Sequence, residues 1–326
     1  MTEKELKKSI RTLSLLGQRG ALGVTIDMLG KTNEKICALT GDLKSSCRLE
    51  RFAAAHPERF FNVGIAEQNM VGISAGLASE GFIPFVASFA NFNVMRANEF
   101  VKNFMGYMKE NIKLVSINSG FSSGMLGNSH YALEDIAALS AIPNITILSP
   151  SDSFEAQKAI IAAAEYSGPV YIRLTGDASN PIVYTKDYDF VIGKPICLKE
   201  SSSSNVALVA TGSSVFYSLE AAKVLAKDFD IDIAVWNVHT LSDIDDASLE
   251  SLANYETIIT IEEHRKMGGL GSFITDKLIL RDKFPKLRRI GIEQKYDLAG
   301  SFIACLEKNK LKGQPLVDEI IRLINS

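Results

Sequence analysis

The feature that most restricts this chain is a repeated alternation: short runs of β-branched and apolar residues, each followed by a longer segment of helical character. KICALTG, IPFVASF, IKLVSIN, ITILSP and PVYIRLT read as strands in the first half, and NVALVATG, IDIAVWNV, TIITIEE and LRRIGI in the second. Strands separated by helices argue for mostly parallel sheets with helices on both faces. Residues 176–205 (GDASNPIVYTKDYDFVIGKPICLKESSSSN) break the rhythm with prolines, glycine and a four-serine run, and read as a linker plus an edge hairpin. After them, helices are expected over about Ser214–Asp228, near Asp246, from about Gly271, and as two closing elements. The expectation is an α/β chain of two doubly wound domains, residues 1–190 and 191–326.

A length of 326 residues suits two or three α/β units with a large buried core. With 46% apolar and 22% charged residues the composition is that of a globular protein, and a net charge of −3 predicts no polyanion partner. The basic runs KELKKSIR and KFPKLRR alternate with apolar residues, as a solvated helix face and a strand flank do. No apolar run reaches the roughly 20 residues that span a bilayer. MTEKELKKSI does not read as a signal sequence, so a cytoplasmic location is expected. Cys37, Cys47, Cys197 and Cys305 lie far apart with no CxxC or Cys/His pairing, and read as reduced thiols. The glycine turns TGSS (211–214) and MGGLGS (267–272) match neither GxGxxG nor GxxxxGK[ST], so they predict strand-to-helix turns rather than nucleotide-binding loops.

One stretch, FFNVGIAEQNMVGISAGLASEG (60–81), carries a single carboxylate, Glu67, before Glu80. RFFNV reads as a strand, Gly64 as a turn, and the segment from Ala66 as a helix whose Gly72, Gly76 and Ser79, beside Ala75 and Ala78, keep one side small enough for a partner to approach. From periodicity alone, Glu67 can be a helix-start acid stabilised by about 0.3–1 kcal/mol through the helix dipole, with no further role. The next segment, VASFANFNVMRANEF, places Phe89, Phe92 and Met95 at i, i+3 and i+6 with Arg96 adjacent. A glycine- and serine-rich loop then follows a strand and carries His130 just before a helix. Because ligands bind at strand ends in open α/β sheets, an acid, an aromatic stripe and a loop histidine on successive elements form a candidate constellation.

The order GIAEQ, SFANF, GxxxG…SHxxLEDIAxLxxIPNxxxLxPSD and PVYIRL resembles the C-terminal half of transketolase and the related 1-deoxyxylulose-5-phosphate synthase, and TIITIEEHRKMGGLGS is similar to the family's C-terminal domain. The resemblance spans almost the whole chain. It implies a thiamine diphosphate site at an interface, with a pyrimidine-binding module and a C-terminal domain present here. Glu67 matches the acid that hydrogen-bonds the pyrimidine nitrogen and favours the imino tautomer that activates the cofactor. Weak solvation, which favours a carboxyl's protonated form, suits that task. Phe92 matches the aromatic that stacks on the aminopyrimidine, with Phe89 and Met95 as wall residues, and Asp42 matches an acid near the thiazolium. His130 matches the substrate-pocket histidine and Arg19 a phosphate-binding arginine, with Arg96 and Arg173 as further candidates. His56, His239 and His264 are read as structural or surface residues.

The sequence also departs from that pattern. The family's GDG motif with a later Asn, which holds Mg2+ and the diphosphate, is absent; the GD pairs here are GDL at 41 and GDA at 176. The resemblance therefore implies a partner N-terminal subunit carrying that motif, in an α2β2 assembly. Leu126 stands where relatives often have an acid, Asn118 where transketolases commonly have His, and Gly176 where they have a second phosphate-binding Arg. Charge-assisted hydrogen bonds are roughly twice as strong as neutral ones, so these losses point away from standard pentose phosphates. The expected function is a transketolase-like subunit that transfers a two-carbon ketol unit from a ketose donor to an aldehyde acceptor. The alternatives are a 2-oxo acid dehydrogenase beta chain or deoxyxylulose phosphate synthase-like half, and a non-catalytic partner subunit.

Overall fold

The computed structural model describes residues 2–176, 181–201 and 204–326. Among them, a six-stranded sheet forms from β1 (Ile36–Thr40), β2 (Phe60–Asn62), β3 (Ile83–Phe89), β4 (Lys113–Ile117), β5 (Thr146–Leu148) and β6 (Val170–Arg173), in the order β2-β1-β3-β4-β6-β5. Every neighbouring pair is parallel. The central strands are buried on both faces, which is why they read as continuous apolar runs. The helices of this part are α1 (Glu3–Thr32), α2 (Glu50–Ala55), α3 (Glu67–Ser79), α4 (Asn98–Phe100), α5 (Asp135–Ser140) and α6 (Ser153–Glu165). α1 opens with a capping box between Thr2 and Glu5 and is kinked at Gly17, whose φ of 68° lies in the left-handed region that only glycine adopts freely.

The second sheet contains β7 (Ile196–Lys199), β8 (Val206–Ala210), β9 (Ala234–Asn237), β10 (Thr257–Arg265) and β11 (Lys286–Ile292), in the order β11-β10-β8-β9-β7. It carries α7 (Ser214–Asp228), α8 (Asp246–Ala253), α9 (Leu270–Leu278), α10 (Phe302–Lys308) and α11 (Gly313–Ile324). Its strands are parallel except β7, which pairs antiparallel with β9 at the edge. The expected hairpin is thus replaced by a single edge strand. The physical reason lies upstream. The N–H groups of Val183 and Tyr184 are taken by the Asp152 carboxylate at 2.8 and 3.1 Å, and the Tyr184 and Tyr188 hydroxyls each donate to Glu155 at 3.0 Å. With those donors satisfied by the start of α6, this stretch needs no strand partner. The rest of the linker, 177–180 and 202–203, lies outside the described residues.

One apolar core runs continuously between the two sheets, from Cys37 and Val86 through Tyr171 to Trp236 and Ile274. A polar seam is embedded beside it. Arg173, at the end of β6 and 1% exposed, donates from Nε to Asp135 Oδ2 at 2.8 Å and from Nη2 to the carbonyls of Ala132 and Glu263 at 3.2 and 2.9 Å. The Glu263 carboxylate, on β10, accepts from Phe121 N–H at 2.6 Å, Thr175 Oγ1 at 2.7 Å and Ser213 Oγ at 2.6 Å. Burial pushes this carboxyl above its ordinary range, against the pull of Arg173 and those donors. His264, beside it, is fully buried; its Nδ1 donates to the Arg265 carbonyl at 2.7 Å and its Nε2 accepts from Ala137 N–H at 3.3 Å, which suits the neutral ring. Burial holds it down to about 4, although the Asp135 carboxylate lies 3.9 Å away. No helix among the described residues is long and apolar enough to cross a membrane.

Two outcomes follow from this seam. Gly120 has a φ of +63°, and a Cβ there would sit 2.1 Å from Glu263 Oε1, so Gly120→Ala should lower stability by about 2 kcal/mol or more in thermal or denaturant unfolding. An unchanged transition would contradict the close approach. Between the ordinary histidine value of 6.5 and about 4, the unfolded chain binds a proton at His264 that the folded chain does not, so stability is lost as pH falls through that window, by about 1.4 kcal/mol per unit. His264→Gln should therefore lose less stability than the native chain on going from pH 6.5 towards 4, measured by urea unfolding; identical slopes would contradict it.

Candidate active site

In the first sheet β1 is flanked by β2 on one side and β3 on the other, so the crossover direction reverses at β1 and β3. In open parallel sheets ligands bind beyond the carboxyl ends of the strands at such a point. Glu67 opens α3 after β2, Phe89 ends β3, and Asp42 and Asn118 follow β1 and β4. Gly41, after β1, lies against Glu67: a Cβ on it would be 3.9 Å from Glu67 Oε1.

Glu67 is 1% exposed, in the first turn of α3 behind Ala66, which supplies no side-chain cap. A buried carboxylate without a partner costs several kcal/mol. Arg96 is that partner, its Nη1 donating to Glu67 Oε2 at 2.8 Å. The guanidinium carbon also lies 4.4 Å from the centroid of the Phe92 ring, a cation–π contact of about 0.5–2 kcal/mol. What brings Arg96 back over a ring four residues earlier is a wide π-type turn at Phe92–Arg96, closed by Ala97 N–H on the Phe92 carbonyl. Such turns occur mostly as local expansions and are frequent at functional sites.

The Phe92 ring meets the His130 ring edge-on at 5.3 Å, and Phe89 lies 5.9 Å from Phe92 and 6.1 Å from His130. His130 follows a short 3-10 segment, Gly124–Ser129; its N–H bonds the Gly127 carbonyl at 2.9 Å and its Nδ1 pairs with Ser129 Oγ at 2.9 Å. Asn91 braces the same loop, donating to the Ser129 carbonyl at 2.8 Å. Glu67, Arg96, Phe92, Phe89 and His130 thus form one connected cluster from three separate stretches of sequence.

The other candidates surround it unequally. Asp42 and Asn118 both adopt left-handed φ values, 61° and 56°, as strand-end turn residues do, and Asp42 N–H is held by Asn62 Oδ1 at 3.0 Å. Met95 is 51% exposed. Arg19 follows Gln18, whose amide spans from the Pro150 carbonyl at 3.0 Å to Thr175 N–H at 2.8 Å, beyond the ends of β5 and β6. Its charge is felt at Cys47, whose thiol burial pushes up to about 12. Leu126 is exposed, and Gly176 gives its N–H to Ser122 Oγ at 2.8 Å.

Arg173, read from sequence as a substrate candidate, is instead walled in with Asp135. His239 is buried, with its ring nitrogens near Thr240 Oγ1 and the Lys194 carbonyl, each at 3.0 Å. The small side of α3 is partly used within the chain: Gly72 faces the rings of Phe100 and Phe104, while Gly76 is open. The Arg96–Glu67 pair escaped the sequence reading. The signal for it was a cation one position after the aromatic stripe, but its direction depends on the π-type turn.

Residues 16–180 match the description of the transketolase pyrimidine binding domain, and residues 197–293 that of the transketolase C-terminal domain. A subunit of the apulose-4-phosphate transketolase of Actinobacillus succinogenes is 34% identical, over 90% of this chain and 94% of its own length. The 6-deoxy-6-sulfo-D-fructose transketolase subunit of a Clostridium species is 33% identical, over 90% of each chain. A solved structure described as a split gene transketolase, inactive beta4 tetramer, superimposes with a TM-score of 0.82 at 36% identity, covering 94% of this chain and 97% of that one. With both domains matched in order along one chain, this protein belongs to the transketolase family and carries its pyrimidine binding and C-terminal domains.

Proposed function

We propose that this chain is the pyrimidine-binding half of a thiamine-diphosphate-dependent enzyme of the cytoplasm that transfers a two-carbon ketol unit from a ketose donor to an aldehyde acceptor. The observation that carries it is the pairing of a carboxylate 1% exposed with a half-buried aromatic ring, Glu67 with Phe92, which together hold one flat N–H-bearing group, the Arg96 guanidinium. The same two partners suit an aminopyrimidine, its ring nitrogen on the carboxyl and its flat face on the phenyl ring. When bound, thiamine diphosphate supplies a carbon nucleophile for breaking the bond beside a donor ketone.

The chain's own residues then have distinct tasks. Glu67 shares a proton with the ring nitrogen where water has little access. Phe92 and Phe89 wall the ring, with Met95 on the rim and Asp42 at the end of β1. His130, fixed through Nδ1 by Ser129, turns Nε2 to a substrate hydroxyl to orient it or move its proton. Arg19 and Asn118 line the substrate side. Arg96, which contacts both Glu67 and Phe92, is a further candidate for the substrate phosphate.

The diphosphate and Mg2+ are assigned to a partner N-terminal subunit carrying the GDG…Asn motif, which does not occur among these residues. An α2β2 assembly is supported by relatives named as subunits and by a similar chain described as inactive as a beta4 tetramer. Relatives named for apulose 4-phosphate and 6-deoxy-6-sulfofructose also support a sugar other than the common pentose phosphates, as Leu126, Asn118 and Gly176 suggest.

Glu67→Gln keeps the shape of the side chain but removes the shared proton. In the reconstituted pair it should lower turnover by about 10²-fold or more while size-exclusion chromatography shows unchanged assembly. Full turnover by that variant would contradict the assignment. Xylulose 5-phosphate should be a poor donor for the native pair, and efficient use of it would remove the case for an altered sugar.

A further inference from the structure

Arg96 makes at once both contacts assigned above to the aminopyrimidine: its Nη1 reaches Glu67 Oε2 at 2.8 Å and its guanidinium lies over Phe92 at 4.4 Å. A guanidinium presents N–H donors to the carboxylate, and an aminopyrimidine is a flat group of similar thickness whose ring nitrogen accepts the proton of the carboxyl. Two such groups cannot share one carboxylate oxygen and one ring face. We infer that Arg96 is a built-in occupant of the pyrimidine site, a side-chain gate that must swing off Glu67 and Phe92 before the cofactor ring seats. The inference rests on the assignment of Glu67 and Phe92 to the pyrimidine.

The surroundings fit a gate better than a fixed brace. The Glu67 side chain is 1% exposed and Arg96 42% exposed, so the arginine can leave towards solvent without disturbing the core, whereas the acid cannot. Arg96 ends a π-type turn that closes through a long bond, 3.3 Å from Ala97 N–H to the Phe92 carbonyl. Its presence neutralises the buried Glu67 carboxylate, and on binding a proton taken up from solvent, shared between the carboxyl and the pyrimidine nitrogen, replaces that charge. Occupancy of the gate lowers the apparent affinity for the ring by the fraction of time the site is closed.

This gives removal of Arg96 two effects of opposite sign. Arg96→Ala should lower the melting temperature of the full chain, because Glu67 loses its partner, and yet tighten binding of 4-amino-5-hydroxymethyl-2-methylpyrimidine by about tenfold, read by ligand-observed NMR titration. The same probe should raise the melting temperature of Arg96→Ala more than that of the native chain. A brace that merely shapes the site would lose stability and affinity together. Equal or weaker probe binding by Arg96→Ala therefore overturns the gate. If Glu67→Gln still abolishes binding in that case, the pyrimidine assignment stands without the gate. Absence of probe binding by every variant at millimolar concentrations overturns both.

Discussion

A fully buried guanidinium, that of Arg173, governs how the two sheets and the loop between them meet. It joins the end of β6 to Asp135 at the start of α5, to the Ala132 carbonyl in the loop before it, and to the Glu263 carbonyl on β10. Removing one member of such a pair typically costs about 3–5 kcal/mol, because the other is left charged and unpaired in the core. Glu263 completes the joint by gripping Phe121 N–H at the start of the same loop. His130 lies between those two anchor points, so its edge-on approach to Phe92 depends on charges buried well behind it.

The site is a second, smaller solution to the same problem. Glu67 is as buried as Asp135, but its partner is a half-exposed arginine rather than an enclosed one. The Asp135–Arg173 pair is permanent because neither member can reach water. The Glu67–Arg96 pair is exchangeable because one member can. That contrast separates a carboxylate suited to holding the fold from one suited to handing its hydrogen bond to a ligand.

Much of this was legible in the residues. Strand and helix positions followed from apolar periodicity, since strands buried on both faces must read as unbroken apolar runs; the helix over Ser214–Asp228 falls where the sequence put it. Glu67, the Phe89 and Phe92 pair and His130, from three separate stretches of the chain, meet because a parallel sheet gathers its strand ends on one edge. What was not legible depended on side-chain direction or irregular backbone. The π-type turn that aims Arg96 has no short sequence signature. Arg173 inside the apolar run PVYIRL did carry a signal, a cation mid-strand that only a buried partner explains, but Asp135 could not be named as that partner without the fold. The expected edge hairpin failed because Asp152 and Glu155, far upstream, satisfy the donors of the segment carrying Tyr184 and Tyr188.

The central claim is that this chain holds half of a cofactor site: the pyrimidine contacts here, the diphosphate contacts on a partner. Calorimetric titration of thiamine diphosphate with Mg2+ into this chain, into a candidate N-terminal subunit carrying GDG and a later Asn, and into their mixture tests it most directly. Tight binding confined to the mixture, with one cofactor per pair of unlike chains, is the predicted result. Equally tight binding by this chain alone would contradict it.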